Sequence, residues 1–256
     1  MSGPEIRLQA WETRLEELIA QQYGLSFDTV AKAIGRGPRA ASKFARRLKK
    51  LGHAQVARVD YGSRGPWRNS TTFDEPDAVP HGPLWLSLTR GTNWGYLEFD
   101  PGEWIPKAST ASHLTAVTEL RLALTGLDTD PQVWTSERLL RRRLKGESGR
   151  PEVHIHDGWF RDFTDPDKVW AVEVELSRKF GDGRLTRAMS AALDAAERND
   201  LAGVVYFVRG EGLRRAVEGA AARLAHERNL DRLPNLEIHD LDATVARGMQ
   251  PREAVI

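Results

Sequence analysis

The sequence predicts a mixed α+β / α/β protein in two parts, an N-terminal winged helix-turn-helix followed by a C-terminal α/β domain. Three observations carry this. Hydrophobic spacing reads as three helices and then a strand pair over residues 6–73. A Pro-rich stretch, DEPDAVPHGP (74–83), follows. From residue 111 onward helices and strands alternate, the pattern of an α/β domain. The expected boundaries are 1–76 for the first domain, 77–110 for a connector and 111–256 for the second domain.

In chain order, residues 6–22 place Leu8, Trp11, Leu15, Leu18 and Ile19 on one helical face, and Gly24 ends that helix. Ser26 suits the cap of a second helix containing Thr29, Val30 and Ile34. Pro38 suits the first position of a third, which runs to Leu51 and is closed by Gly52. AQVARVDY (54–61) alternates like a strand, SRGPWRN (63–69) is a turn-rich tip, and STTF (70–73) is the expected return strand. LWLSL (84–88) and WGYLEF (94–99) read as strands in the connector. Beyond it come a helix from His113, an extended piece at Trp134, a helix at 137–144 and a strand at 151–158 ending in an Asp-Gly turn. A strand at 168–176, a helix at 184–199, a strand at 203–208, a helix at 211–227 and a strand at 235–241 complete the series.

Composition narrows the function classes. The chain has no cysteine, which excludes disulfides and thiolate metal sites. No apolar run approaches the ~20 residues of a membrane span, and the N-terminus lacks the pattern of a signal peptide, so a cytoplasmic location is expected. The net charge is only +1, yet ten Lys or Arg and one acid fall between Arg36 and Arg68. Such concentration points to a docking face for a polyanion. In a helix-turn-helix the second helix enters the major groove, so Arg36, Arg39, Lys43, Arg46, Arg47, Lys49 and Lys50, with Arg58, Arg64 and Arg68 of the wing, are the candidate contacts to double-stranded DNA. A solvated basic helix is the competing reading.

Glu173 and Glu175, two apart on a strand, share one face, while Val172, Val174 and Leu176 are expected on the other. Adjacent like charges repel unless a proton or cation intervenes, and a hard divalent cation, Mg2+ or Mn2+, suits oxygen donors. Glu152 and Asp157 of the preceding strand are the candidates to complete the ligand set, and Lys179 the candidate to stabilise a phosphorane. An exposed acidic strand balanced by Arg178 and Lys179 is the bland alternative. His154 and His156 form a His-x-His pair of a type that binds zinc or another transition metal, but with no third imidazole or cysteine nearby in sequence it reads as a sheet-surface feature, and Glu119 and Glu137 read as surface or helix-end acids. The basic helix Arg138, Arg141, Arg142, Arg143 and Lys145 faces either phosphate or solvent. No tyrosine among Tyr23, Tyr61, Tyr96 and Tyr206 stands beside an obvious metal or histidine cluster, so water attack is the expected chemistry.

HLTAVTELRLAL (113–124), WTSERLLRR (134–142), RPEVHIHDG (150–158), AVEVELSRK (171–179) and VVYFV (204–208) resemble, in that order, the replication-relaxation proteins of plasmids and integrative elements. That family is similar to mobilisation relaxases whose catalytic domain is of the PD-(D/E)XK restriction-endonuclease type, and it carries an N-terminal winged helix. LWLSLTRG (84–91) resembles its segment between the two domains, and the likeness extends to about residue 220. The resemblance implies a site-specific, metal-dependent DNA endonuclease or nickase of a mobile element, acting in transfer or replication beside other proteins of that element. Glu173, Glu175 and Lys179 fall on the family's Glu-x-Glu and lysine. Glu152 falls where the family has aspartate, one methylene shorter, and His113 falls on a family histidine. A non-catalytic DNA-binding regulator is the alternative that Glu152 invites. A double-strand cutter would need two such sites, hence a homodimer.

Overall fold

The structure, a computed structural model, describes residues 7–59, 82–145, 154–177 and 183–249. Among these are nine helices and two sheets, so the protein is of mixed α and β class. No described helix is long and apolar enough to cross a membrane. The chain divides into two compact units between Glu119 and Leu120.

The first unit runs α1 (Ala10–Gln21), β1 (Leu25–Ser26), α2 (Phe27–Ala33), α3 (Pro38–Lys50), β2 (Ala54–Arg58), β3 (Leu84–Leu88) and α4 (Arg90–Leu97). Its sheet has the antiparallel order β1-β3-β2. Leu15, Leu18 and Ile19 of α1, Val30 of α2 and Leu48 of α3 are fully buried, and Phe44 nearly so, as the helical spacing predicts. Ser26 caps α2, its Oγ accepting the Thr29 N–H at 3.1 Å. At Gly24 the backbone turns with φ 108°, and a Cβ there would lie 2.4 Å from the Trp85 indole nitrogen, so both conformation and space require glycine.

The described residues of this unit depart from expectation in places. Among the described residues β2 pairs with β3, drawn from the expected connector, where Leu84–Leu88 pairs on both sides and buries Trp85 and Leu86. STTF (70–73) lies outside the described residues, and the first unit extends well past residue 76. WGYLEF is largely helical, in α4, with Asn93 buried and its amide donating to the Leu88 carbonyl at 3.1 Å. Its three aromatics and leucine mimic strand composition, but Glu98 ends a helix in the left-handed conformation.

Helix α5 (Ala108–Thr125) spans the division. It begins five residues before His113, which therefore sits in its second turn and not at the helix start. The second unit continues with β4 (Trp134–Ser136), α6 (Glu137–Arg143), β5 (Gly158–Arg161), β6 (Val169–Glu175), α7 (Arg184–Arg198), β7 (Gly203–Val208), α8 (Glu211–Glu227), β8 (Leu236–Asp240) and α9 (Leu241–Gly248). Helix α9 is an element the sequence reading did not include. The sheet order is β4-β5-β6-β7-β8, antiparallel from β4 to β6 and parallel from β6 to β8. Met189, Ala192 and Leu193 of α7 and Leu213, Val217 and Ala220 of α8 form one apolar cluster with Ala171, Val204, Tyr206 and Val208 of the sheet.

The expected strand at 151–158 is not formed over its described part. Residues 154–157 are irregular and β5 begins at Gly158. Nor does Asp-Gly make a hairpin. A Cβ on Gly158 would lie 2.7 Å from the ring of the fully buried Trp134, so this glycine serves close packing of β5 against β4.

Candidate metal centre and nucleic-acid interface

β6 is buried along both faces, as strands flanked by a parallel neighbour commonly are. The bland alternative of an exposed acidic strand is therefore overturned. Ala171, Glu173 and Glu175 project to the side of Tyr206 and the α7–α8 cluster, while Val172 and Val174 with Val205 and Phe207 occupy a second buried face. The two glutamates sit where β6 emerges from that cluster, only 9 % and 7 % exposed. Two carboxylates two residues apart on a strand, roughly 7 Å along it, repel by about 2–3 kcal/mol at an effective dielectric near 20. Burial sharpens their demand for a compensating partner.

Asp157 completes the corner. Its N–H donates to the Val172 carbonyl at 3.0 Å, and its carboxylate Oδ2 accepts the Val174 N–H at 2.8 Å. β6 outruns β5 here, since β5 begins at Gly158, opposite Val172. The Asp157 side chain thus takes the place of a missing strand and satisfies a backbone donor that would otherwise be stranded. Of the two acids proposed to complete the set, the structure places Asp157 against the Val174 N–H, in the backbone between Glu173 and Glu175. Glu152 lies outside the described residues, as does Lys179.

His154 Nε2 lies 2.7 Å from Glu173 Oε1. His154, His156 and Glu173 each offer a ligand atom, all within 4.8 Å of one another. His156 is nevertheless a structural residue. It is fully buried, its Nδ1 accepts the Trp159 indole N–H at 3.1 Å, and its Nε2 lies 3.0 Å from the Ala192 carbonyl, which it serves as donor. Burial, reinforced by nearby His154, lowers its pKa to about 4 against the favourable pull of the Ala192 carbonyl. The neutral ring locks β5 onto α7. The His-x-His pair is therefore not a sheet-surface feature: one ring is core and the other faces the acids.

Tyr206 is paired in register with Glu173 and is 1 % exposed. Burial first, then the charges of Glu173, Glu175 and Asp157, hold its phenol well above the ordinary value. This corrects the reading that no tyrosine stands near the cluster. The neighbour relation comes from the register of β6 on β7, which no pattern within VVYFV encodes. Because the phenol stays protonated, a phenolate nucleophile is disfavoured.

The remaining candidates lie elsewhere. Glu119 pairs with Lys32 at 2.6 Å, and Glu137 opens α6 and pairs with Arg141. Arg138 is buried at 4 %, whereas Arg141, Arg142 and Arg143 are exposed, with the Arg143 guanidinium 5.1 Å from the Trp159 ring centre. The basic helix is thus split between core and surface.

On α3, Ala41, Phe44, Ala45 and Leu48 face inward and Arg39, Lys43, Arg46, Lys49 and Lys50 are exposed, as is Arg36 in the turn before it. Arg39 and Lys43, one turn apart, share a face. Arg47 belongs to a different group. It bonds the Glu12 carboxylate at 3.0 Å and the Arg7 carbonyl, and Glu12, 4 % exposed, also accepts the Gln9 N–H that starts α1. Arg58 likewise donates to the Gly82 carbonyl at 2.8 Å. Both brace the fold, which sequence reasoning could not separate from free surface cations. Arg64 and Arg68 lie outside the described residues. A groove of about 320 Å³ between α1 and α3 is lined by Trp11, Phe44, Arg36 and Lys43 among others.

Comparison with protein-family models, curated proteins and solved structures found no match for this chain.

Proposed function

We propose that the protein is a DNA-acting, metal-dependent endonuclease, nicking one strand at a specific site, with a winged helix for docking and a PD-(D/E)XK-like sheet for cleavage. The carrying observation is the pair of buried glutamates on β6, Glu173 and Glu175, with His154 against Glu173 and Asp157 bonded to the Val174 N–H where β6 outruns β5. The order α1-β1-α2-α3-β2-β3 with sheet order β1-β3-β2 supports the winged-helix reading, and the antiparallel β4-β5-β6 meander followed by α7 and parallel β7 supports the nuclease-like one. The motif resemblance to replication-relaxation proteins of mobile elements agrees with both.

The donor set fits a divalent cation, because it is rich in carboxylate oxygen. Bound there, Mg2+ or Mn2+ would polarise a phosphate and acidify an attacking water. Asp157 and Glu173 would hold the ion, with Glu175 at its side. Asp157 keeps its orientation through the Val174 N–H, and Tyr206 stays a neutral donor beside Glu173. The exposed cations Arg36, Arg39, Lys43, Arg46 and Lys50 would hold duplex phosphates and bases.

A second reading, a DNA-binding regulator or replication accessory protein with a non-catalytic second unit, draws support from the burial of both glutamates, which limits approach by a phosphodiester. Nicking of a supercoiled plasmid that carries the gene's own flanking DNA separates the two. The wild type should relax it with Mg2+ or Mn2+ and not with EDTA. Glu173→Gln with Glu175→Gln should keep DNA binding and slow cutting by roughly a thousandfold or more. Tight binding without cutting under either metal establishes the regulator reading instead.

A further inference from the structure

The acid corner contains a nitrogen donor that an all-oxygen Mg2+ site has no use for. We infer that His154 is a metal ligand and that the corner is a mixed nitrogen–oxygen site selecting Mn2+ over Mg2+. The inference rests on reading this corner as a cation site, but not on DNA cleavage.

His154 Nε2 and Glu173 Oε1 face each other at 2.7 Å, so a single proton lies between two lone pairs. A cation can replace that proton with little movement. Two neighbouring ligands of an octahedral ion at ligand distances of about 2.1–2.2 Å stand roughly 3 Å apart, a few tenths of an ångström beyond the present separation. His154 is partly exposed, with 26 % of its side chain accessible, so an ion can reach it from solvent. Its ring meets His156 edge-on, with centres 5.2 Å apart and planes at 75°. His156 is itself fixed by Trp159 and Ala192, and such outer partners commonly orient a ligating imidazole. The same two bonds exclude His156 as the third ligand of the histidine–histidine–glutamate group. Asp157, three residues from His154 and bonded to the N–H of Val174, the residue after Glu173, is the nearby carboxylate left to complete the set.

Imidazole nitrogen is a poor ligand for Mg2+, which prefers oxygen and retains water. First-row transition ions accept nitrogen readily, and Mn2+ accepts it while keeping carboxylate ligands. A corner of one imidazole and carboxylates therefore discriminates by donor type.

The test uses the untagged full chain without DNA. Mn2+ and Mg2+ affinities are measured by calorimetry, and the Mn2+ complex by pulsed electron paramagnetic resonance, which detects a coordinated imidazole as 14N modulation. The wild type should bind Mn2+ at least ~10-fold more tightly than Mg2+ and show the modulation. His154→Ala and His154→Gln should lose the modulation and at least ~10-fold in Mn2+ affinity with Mg2+ affinity unchanged. Absence of 14N modulation in the wild type, absence of Mn2+ binding, or wild-type Mn2+ affinity in folded His154→Gln overturns the inference. The wild-type signal decides the matter even if a variant does not fold. Modulation without nicking would retain this inference and defeat the nuclease reading, and Mg2+-dependent nicking without modulation would do the reverse.

Discussion

The cations of α3 and the acids at the end of β6 are held in opposite ways. Arg39, Lys43, Arg46, Lys49 and Lys50 stand in solvent on a helix whose other face does the packing. Their positions follow from one local period, and none is among the buried residues of the helix. Glu173, Glu175, Asp157 and His154 come from separate stretches, are largely withdrawn from water, and depend on strand register for their proximity. The difference teaches that a charged surface can be lost with little effect on stability, whereas a desolvated corner is continuous with the core. Substitutions should therefore divide cleanly: stability changes at the sheet, binding changes on the helix.

The largest effect should come from acidification. His156 has a folded-state value of about 4, below its unfolded value near 6.5. The unfolded chain thus takes up the proton first. Stability is complete above pH 6.5 and falls as pH drops toward 4, by about 3 kcal/mol in total. Urea unfolding at pH 7.5, 5.5 and 4.5 should show this slope in the wild type and a flatter one in His156→Gln. Equal slopes would sink the structural role given to this ring.

Next is Gly158→Ala, which drives a Cβ against the Trp134 ring and should cost about 2 kcal/mol by overpacking. An unchanged denaturation midpoint would mean that β4 yields easily and that the start of β5 is not fixed by this contact. Asp157→Ala removes a charged acceptor from the Val174 N–H and should cost about 1.5 kcal/mol. Asp157→Asn, which keeps an acceptor, should recover most of that stability.

The smallest stability effect is expected within α3 itself. Lys43→Ala should change stability by less than about 0.5 kcal/mol, and it should reduce the slope of log DNA affinity against log salt by about one. Arg47→Ala should invert this pattern, destabilising by about 1 kcal/mol through loss of the Glu12 contact while leaving the salt slope nearly intact. If both variants behave alike, the division between exposed and bracing cations does not hold.

Much of the local structure was legible from the chain alone. The periods over 184–199, 203–208 and 211–227 became α7, β7 and α8, and Pro38 and Gly52 bracket α3, because such signals act over a few residues. Composition misled where local and tertiary preferences diverge. Trp94, Tyr96 and Leu97 resemble a strand, yet α4 forms, with Tyr96 donating to the buried Glu16 carboxylate at 3.0 Å. The α3 charge run was visible, but the commitment of Arg47 to Glu12 required α1 and α3 to be packed.

The sequence by itself determined the helices and strand of 184–227, that cations concentrate before residue 70, and that Glu173 and Glu175 share a strand face, since each depends on spacing along one element. Tertiary structure decided the rest. It seated β3 between β1 and β2, brought Asp157 rather than a hairpin turn to β6, placed Tyr206 beside Glu173, and separated a core His156 from a His154 that faces Glu173. These relations depend on which strands pair and in what register. Pairing is settled by the packing of residues far apart in sequence, and a one-residue slip would turn every side chain to the opposite face.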